Sequence, residues 1–214
     1  MTLTEVQKFI AQGEGQRIEF KLKANHPDRI IKEVVAFSNS KGGHLFIGVD
    51  DDGSIIGLKD PEEAHYVMDR AMQELCRPQI KYRYQIIPTD STRAILHYQF
   101  ESGEEKPYYA FLKPFHKRGR SFVRLQDRSI QASREMRQIL KLSLKEASSY
   151  FEYGEYEKML LNYLGNHEEI TVNTFCTISN IDKQLASQIL IKLTINNVLK
   201  VIPGEKEDRF IFVA

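Results

Sequence analysis

Leu3, Val6, Phe9 and Ile10 recur at the three- and four-residue spacing of one helical face, behind Thr2 or Thr4 as an N-cap. A short amphipathic helix ending near Gly13 is predicted. Arg17 to Leu22 alternates as a strand does, and Asp28 can cap a helix through Ile30, Ile31, Val34, Val35 and Phe37, closed by Gly42 and Gly43. His44 to Val49 is an apolar run of strand length. The Asp-Asp-Gly turn at 51 to 53 then predicts a hairpin with Ser54 to Leu58. Pro61 starts a second amphipathic helix through Ala64, Val67, Met68, Ala71, Met72 and Leu75, which Pro78 stops. Lys81 to Ile87 and Arg93 to Phe100 alternate on either side of a Pro-Thr-Asp-Ser turn and predict another hairpin. Ser121 to Leu125 is a further short strand, and Ser133 can cap a helix through Met136, Ile139, Leu140 and Leu144.

The helical pattern fades between Ser148 and Gly154, and a different plan follows. Tyr156, Met159, Leu160, Tyr163 and Leu164 share one helical face. Ile170 to Ser179 forms a second helix, and a third carries Leu185, Ile189, Leu190, Leu193 and Val198. Leu199 to Ile202 and Arg209 to Val213 are strands on either side of the polar turn from Pro203 to Asp208. Three helices and a two-stranded hairpin are the plan of a winged helix-turn-helix. The predicted fold class is therefore α+β: a mixed domain over residues 1–147, then a small winged-helix domain over 153–214.

Composition narrows the function classes. The chain has 214 residues, 42% of them hydrophobic and 28% charged, which suits a soluble globular protein. No apolar run approaches the roughly 20 residues of a membrane span, and the first residues lack the order of a signal peptide, so a cytoplasmic location is expected. Cys76 and Cys176 stand far apart without a Cys-x-x-Cys or a nearby histidine pair, which points to neither a disulfide framework nor a zinc site. The six histidines are scattered and lend histidine catalysis no support. Net charge is +1, but residues 151–214 hold six basic and nine acidic residues, leaving +4 on the first 150. That surplus is concentrated from Lys113 to Arg134, where seven basic residues face the single acid Asp127.

Three groups of residues can carry chemistry. The first is acidic. Glu14 lies between Gly13 and Gly15, whose backbone freedom can turn the chain back toward the strand bearing Glu19, and Asp51 follows the next strand. Three carboxylates brought together would suit a hard cation such as Mg²⁺ or Mn²⁺. The alternative is that Glu19 pairs with a lysine or arginine and supports the sheet while Glu14 is solvated. A calcium loop at Asp50 to Gly53 is rejected because the later acidic ligand is missing, and Gly42-Gly43 is a helix cap instead of a phosphate loop.

The stretch from Gly13 to Gly57, with Glu-Gly-Gln-Arg-Ile-Glu-Phe-Lys followed by Val-Val-Ala-Phe-Ser-Asn-Ser-Lys-Gly-Gly-His-Leu-Phe-Ile-Gly-Val-Asp-Asp-Asp-Gly, resembles the N-terminal signature of the Schlafen-type AlbA domain. Phe122-Val123-Arg124 and Ala132-Ser133-Arg134-Glu135 match later parts of the pattern, so the resemblance spans about Leu3 to Leu144. It implies a nucleic-acid-binding module of bacterial regulators. In some relatives the domain is a metal-dependent ribonuclease whose acidic positions match Glu14, Glu19 and Asp51. Gln126-Asp127-Arg128 departs from the family's small Gly-Ser turn and replaces a backbone contact to phosphate with a side-chain cation.

The second group is basic: Lys113, Lys117, Arg118, Arg120, Arg124 and Arg128, interleaved with Phe111, Phe115 and Phe122, which combine phosphate attraction with faces for base stacking. The third is the predicted recognition helix Asn180 to Lys192. Its Asp182, Lys183, Gln184, Ser187, Gln188 and Lys192 are expected outside the apolar face, with the glutamines suited to adenine edges and the lysines to phosphate or guanine. The −3 charge of this half favours docking or dimerisation instead. The leading expectation is a bacterial-type DNA-binding transcriptional regulator, with DNA the partner in preference to RNA, no membrane, a homodimer left open and no cofactor. One rival is an endoribonuclease of structured RNA using Glu14, Glu19 and Asp51 with Mg²⁺ or Mn²⁺, with Lys21 near a phosphate. The other is a protein-interaction module, favoured if the basic segment is buried or paired.

Overall fold

The computed structural model describes residues 1–112, 118–143 and 154–213. Two compact units emerge, Met1–Gln131 and Ala132–Ala214. In the first, Thr2 caps helix α1 (Leu3–Ile10) in a reciprocal capping box with Glu5. Then come β1 (Ile18–Lys21), α2 (Pro27–Asn39), β2 (Gly43–Ile47), α3 (Pro61–Leu75), β3 (Cys76–Arg77), β4 (Tyr82–Pro88), β5 (Ala94–Phe100), β6 (Tyr109–Ala110), β7 (Phe122–Leu125) and β8 (Arg128–Gln131). The main sheet has the order β1-β2-β5-β4, with β1 parallel to β2 and the other pairs antiparallel. Two-stranded sheets pair β3 with β6 and β7 with β8.

Helices cover both faces of the main sheet, which is why β2 and β5 are almost continuously buried. Leu45, Ile47, Leu96, Tyr98 and Phe100 face α2 and α3 in the larger core, joined by Ile31, Val34, Phe37, Met68 and Met72. Phe20, Phe46, Ile87 and Ile95 face the other way and pack with Val6, Phe9 and Ile10 of α1. Buried Asn39 closes α2 onto later strands, donating to Tyr108 O (3.0 Å), Ser121 Oγ (3.0 Å) and Phe122 O (2.9 Å) and accepting from Tyr108 N–H (2.8 Å).

Several expectations shift. The hairpin at 54 to 58 shrinks to isolated bridges, Val49 with Ile55 and Leu58 with Ala94. Gly48 and Gly57 take φ of +104° and +70°, which breaks the extended path, and Gly48 O accepts from Ile56 and Gly57 N–H. Asp28 lies in the first turn of α2 and not at its cap, because Pro27 already occupies the start of the helix. β8 escapes the alternation argument: Gln126 takes φ +57° and turns the chain back at once.

The second unit holds α4 (Arg134–Leu142), α5 (Glu155–Leu164), α6 (Val172–Ser179), α7 (Lys183–Ile195) and the antiparallel strands β9 (Leu199–Ile202) and β10 (Arg209–Phe212). Its core gathers Leu160, Leu164, Phe175, Ala186, Leu190, Leu193, Leu199 and Phe210. Ile139 of α4 belongs to that core, so the compact units divide after Gln131 instead of at residues 148–154. Leu144, expected on this helix, lies outside the described residues, as does most of the expected boundary. Tyr156 and Met159 are exposed and leave the apolar face of α5 to Leu160 and Leu164.

Candidate nucleic-acid interface and its acid network

Gly13, at φ +73°, turns the chain after α1 so that Gly15 N–H bonds to Ile18 O at 3.0 Å and Phe20 N–H donates to Glu14 Oε1 at 2.8 Å. Glu14 and Glu19 are thereby brought to one ammonium group. Lys21 Nζ donates to Glu19 Oε1 and to Phe20 O (2.7 Å) and lies 3.9 Å from Glu14 Oε1. The other oxygen of Glu19 accepts from Arg124 Nη1 at 2.9 Å. Glu19 is 4% exposed, so the alternative in which it pairs with basic residues and supports the sheet describes its setting.

Arg124 sits at the centre of this network. Its side chain is 0% exposed. Nη1 donates to Glu19, to Glu33 Oε2 (2.6 Å) and to Ser129 Oγ (3.2 Å), while Nη2 donates to Gly15 O at 2.6 Å. The guanidinium also lies 4.9 Å from the centroid of the Phe37 ring. An arginine expected to contact phosphate is instead a buried internal cation. Glu33 and Ser129 were missed in the sequence because Glu33 lies on a helix and Ser129 on an unpredicted strand. Burial, and then the neighbouring Glu19, raise the Glu33 pKa against the Ser129 bond and the Arg124 charge. Burial also leads the rise at Glu14. At Lys21 burial opposes the charge, but Glu19 and Glu14 outweigh it and its pKa is raised.

Asp51 is exposed in the turn after β2, close enough to add slightly to the proton affinity of Glu14. Among the described residues no three His, Cys, Asp or Glu side chains are grouped to hold a metal ion. Both oxygens of Glu19 are engaged by cations, so in this arrangement the expected ligand set does not fit Mg²⁺ or Mn²⁺.

Arg118, Arg120 and Arg128 are exposed, the last with a partner of its own. Lys113 and Lys117 lie outside the described residues. In the second unit, Asp182 caps α7 by accepting from the N–H groups of Gln184 (2.7 Å) and Leu185 (3.0 Å). Asn180, at φ +53°, ends α6 in the left-handed conformation that asparagine tolerates. Lys183, Gln184, Gln188 and Lys192 stand exposed along α7, and Lys192 has a partner. Ser187 is buried and donates to Glu135 Oε1 at 2.8 Å, so it leaves the candidate reading face.

A mixed sheet covered by helices on both faces, an acid and arginine network at its first strand and a basic strand pair beside it define an AlbA-like α+β module. The chain belongs to the family described as Schlafen, AlbA_2, whose model matches residues 14–133. The family relates the first unit to nucleic acid. No curated protein matches the chain. Among solved structures, it is similar to the N-terminal domain of an ATP-dependent DNA helicase RecG-related protein from Nitrosomonas europaea. That similarity has 24% identity and a TM-score of 0.42, over 52% of this chain and 81% of that one. It is also similar to the DIP2311 protein from Corynebacterium diphtheriae, at 17% identity and a TM-score of 0.44, over 70% of this chain and 32% of that one. Among the described residues no helix is long and apolar enough to cross a membrane.

Proposed function

We propose that this chain is a DNA-binding transcriptional regulator in which each unit supplies a distinct kind of contact. The first gives sequence-independent attraction to phosphate through Arg118 and Arg120, with Arg124 reassigned to the interior. The second acts as a winged helix-turn-helix, with α6 and α7 as the helix pair, α7 as the reading helix and β9–β10 as the wing. The observation that carries this reading is the solvent face of α7. It offers Lys183, Gln184, Gln188 and Lys192 and no acid beyond its Asp182 cap. Amide side chains four residues apart on an exposed helix match the paired donor and acceptor of an adenine edge in the major groove. The proposal does not extend to RNA cleavage, because Lys21 and Arg124 already occupy the oxygens of Glu19.

The test is to incubate the purified chain with duplex DNA, single-stranded DNA and tRNA, with and without Mn²⁺, and to score both mobility shift and cleavage. A duplex shift without cleavage is expected. Preferential tRNA binding with Mn²⁺-dependent cleavage would overturn the proposal, and no shift with any of the three would favour a protein-interaction module.

A further inference from the structure

The face of the main sheet on which α1 packs is covered only in part. Paired residues across the strands share that face: Phe46 with His97, His44 with Gln99, Gln85 with His97 and Arg83 with Gln99. Val6, Phe9 and Ile10 of α1 cover its apolar part. Beside the helix a cleft of about 650 Å³ remains, within the size range of small-molecule sites. Its wall combines Lys8 and Phe9 of α1, Arg83 and Gln85 of β4, and His97 and Gln99 of β5.

His97 is the unexplained element of this wall. It is 3% exposed, its Nε2 lies 3.0 Å from His44 Nδ1, and its Nδ1 has no hydrogen-bond partner. A buried polar atom without a partner is costly and uncommon. Its state follows from the pair. If His97 donates from Nε2, its Nδ1 is a bare acceptor; if His44 donates from Nδ1, the proton of His97 stands on Nδ1 as an unmet donor. Exchange between the two tautomers lets one ring offer either kind of bond. Burial and then His44 hold the His97 pKa down to about 3, so the ring is neutral near pH 7 and adds no charge to the cleft. The Gln99 side chain makes no hydrogen bond among the described residues, whereas Gln85 Oε1 accepts from the Met1 ammonium. Among the described residues Arg83 is paired with Glu101, at 3.4 Å and well exposed, a contact easily exchanged for an anion.

We propose that this cleft is a binding site for a nucleoside phosphate, with the base edge read by Gln99 and His97 beside the Phe9 ring and the phosphate held by Arg83 and Lys8. A carboxamide matches the mixed donor and acceptor edge of a base, an aromatic ring suits its flat face, and two cations suit the anion. The residues of this cleft are different from Arg118, Arg120 and those of α7, and the inference stands whether or not the latter contact DNA. The same chemistry is carried by a free mononucleotide and by the phosphorylated end of a single strand.

The test is calorimetric titration of the whole chain with AMP, GMP, CMP and UMP, then with ribose 5-phosphate and inorganic phosphate, then with a 5′-phosphorylated single-stranded oligonucleotide competing against the best mononucleotide. Saturable binding of at least one mononucleotide, above ribose 5-phosphate, is expected. Gln99→Leu and Arg83→Gln should each weaken it by about tenfold, the loss of one good polar contact, with far-UV circular dichroism unchanged. Competition by the oligonucleotide would assign the ligand to a strand end, and lack of competition to the free nucleotide. No binding of any mononucleotide, binding matched by ribose 5-phosphate or phosphate alone, or affinity unaltered in both folded variants would overturn the proposal.

Discussion

Replacing Arg124 by Met keeps most of the side chain's length but removes its charge and four hydrogen bonds. In the native protein those bonds join β1, α2 and β8 and the turn before β1, through Glu19, Glu33, Ser129 and Gly15. The loss leaves Glu19 with Lys21 alone and Glu33 with the Ser129 hydroxyl alone. Breaking a buried ion pair from one side costs about 3–5 kcal/mol, because a buried charge is left uncompensated. Set against a typical stability of about 5–15 kcal/mol, that is a large share of what holds the first unit folded. Urea unfolding followed by circular dichroism measures the loss, and hydrogen exchange of the β1 and β2 amides assigns it to this unit.

The pH dependence gives a second signature of the same effect. A carboxyl group with a raised folded-state pKa contributes stability that is complete below its unfolded value and is lost as pH rises through the folded one. Glu33 already has a raised pKa, and removing its cation should raise it further. The Glu33 part of the Arg124→Met deficit should therefore be greatest near pH 7 and shrink as pH falls through the raised folded-state values of this carboxyl, above its ordinary range. Adding Glu19→Gln and Glu33→Gln should restore part of the stability at pH 7. A single variant within about 1 kcal/mol of the parent at neutral pH would refute the network argument. So would a loss of DNA affinity and salt slope at unchanged stability, since that would make Arg124 a phosphate contact.

Other outcomes follow from the same geometry. Arg118→Ala with Arg120→Ala should lower the slope of log affinity against log salt by about one per lost phosphate contact, as measured by titrations across a salt series; an unchanged slope would remove these residues from the interface. Gln184→Ala or Gln188→Ala should relax base preference by about 1–3 kcal/mol at one position of a selected site, and equal selectivity by competition binding would assign α7 to docking or dimerisation. His97 supplies stability above its unfolded pKa of 6.5, and this is lost as pH falls toward its folded value of about 3. The loss amounts to about 1.4 kcal/mol per pH unit while the two states differ by one proton. His97→Phe should flatten the stability curve over that range, whereas the parent slope retained in urea titrations would show that other groups control it.

How much of this was legible in the sequence depended on how local each signal was. The helices of residues 3–10, 61–75 and 183–195 announce themselves by apolar period, the first also by its Thr2 cap and the second by Pro61, whereas the caps at Asp60 and Asp182 emerge only in the structure. Strands 82–88 and 94–100 follow from alternation around a polar turn. Long-range pairing was hidden. Glu19 and Arg124 are 105 positions apart, and a basic residue within a run of basic residues looks solvated until its strand is packed against α2. His44 and His97 come from neighbouring strands separated by 53 positions, and no linear spacing announces them. The division after Gln131 was equally silent, because the apolar face of α4 does not say which core it will join.

Charge balance connects these corrections. Glu14, Glu19 and Glu33 are drawn into one region by the turn at Gly13, the strand β1 and the helix α2, and Lys21 and Arg124 supply its two cations. Glu19 faces both cations and Glu33 faces Arg124, while Glu14 has the Phe20 N–H and the Lys21 ammonium at 3.9 Å, and burial outweighs both so that its proton affinity rises. A divalent ion entering here would have to displace Lys21 from Glu19 and release a second positive charge into a partly buried space, at a cost of desolvation and repulsion. Glu14, Glu19 and Glu33 thus face cations that the fold itself provides. On the proposed reading, attraction to nucleic acid falls to basic side chains outside that balance, Arg118 and Arg120 among them, whose solvent exposure leaves the charge available to phosphate.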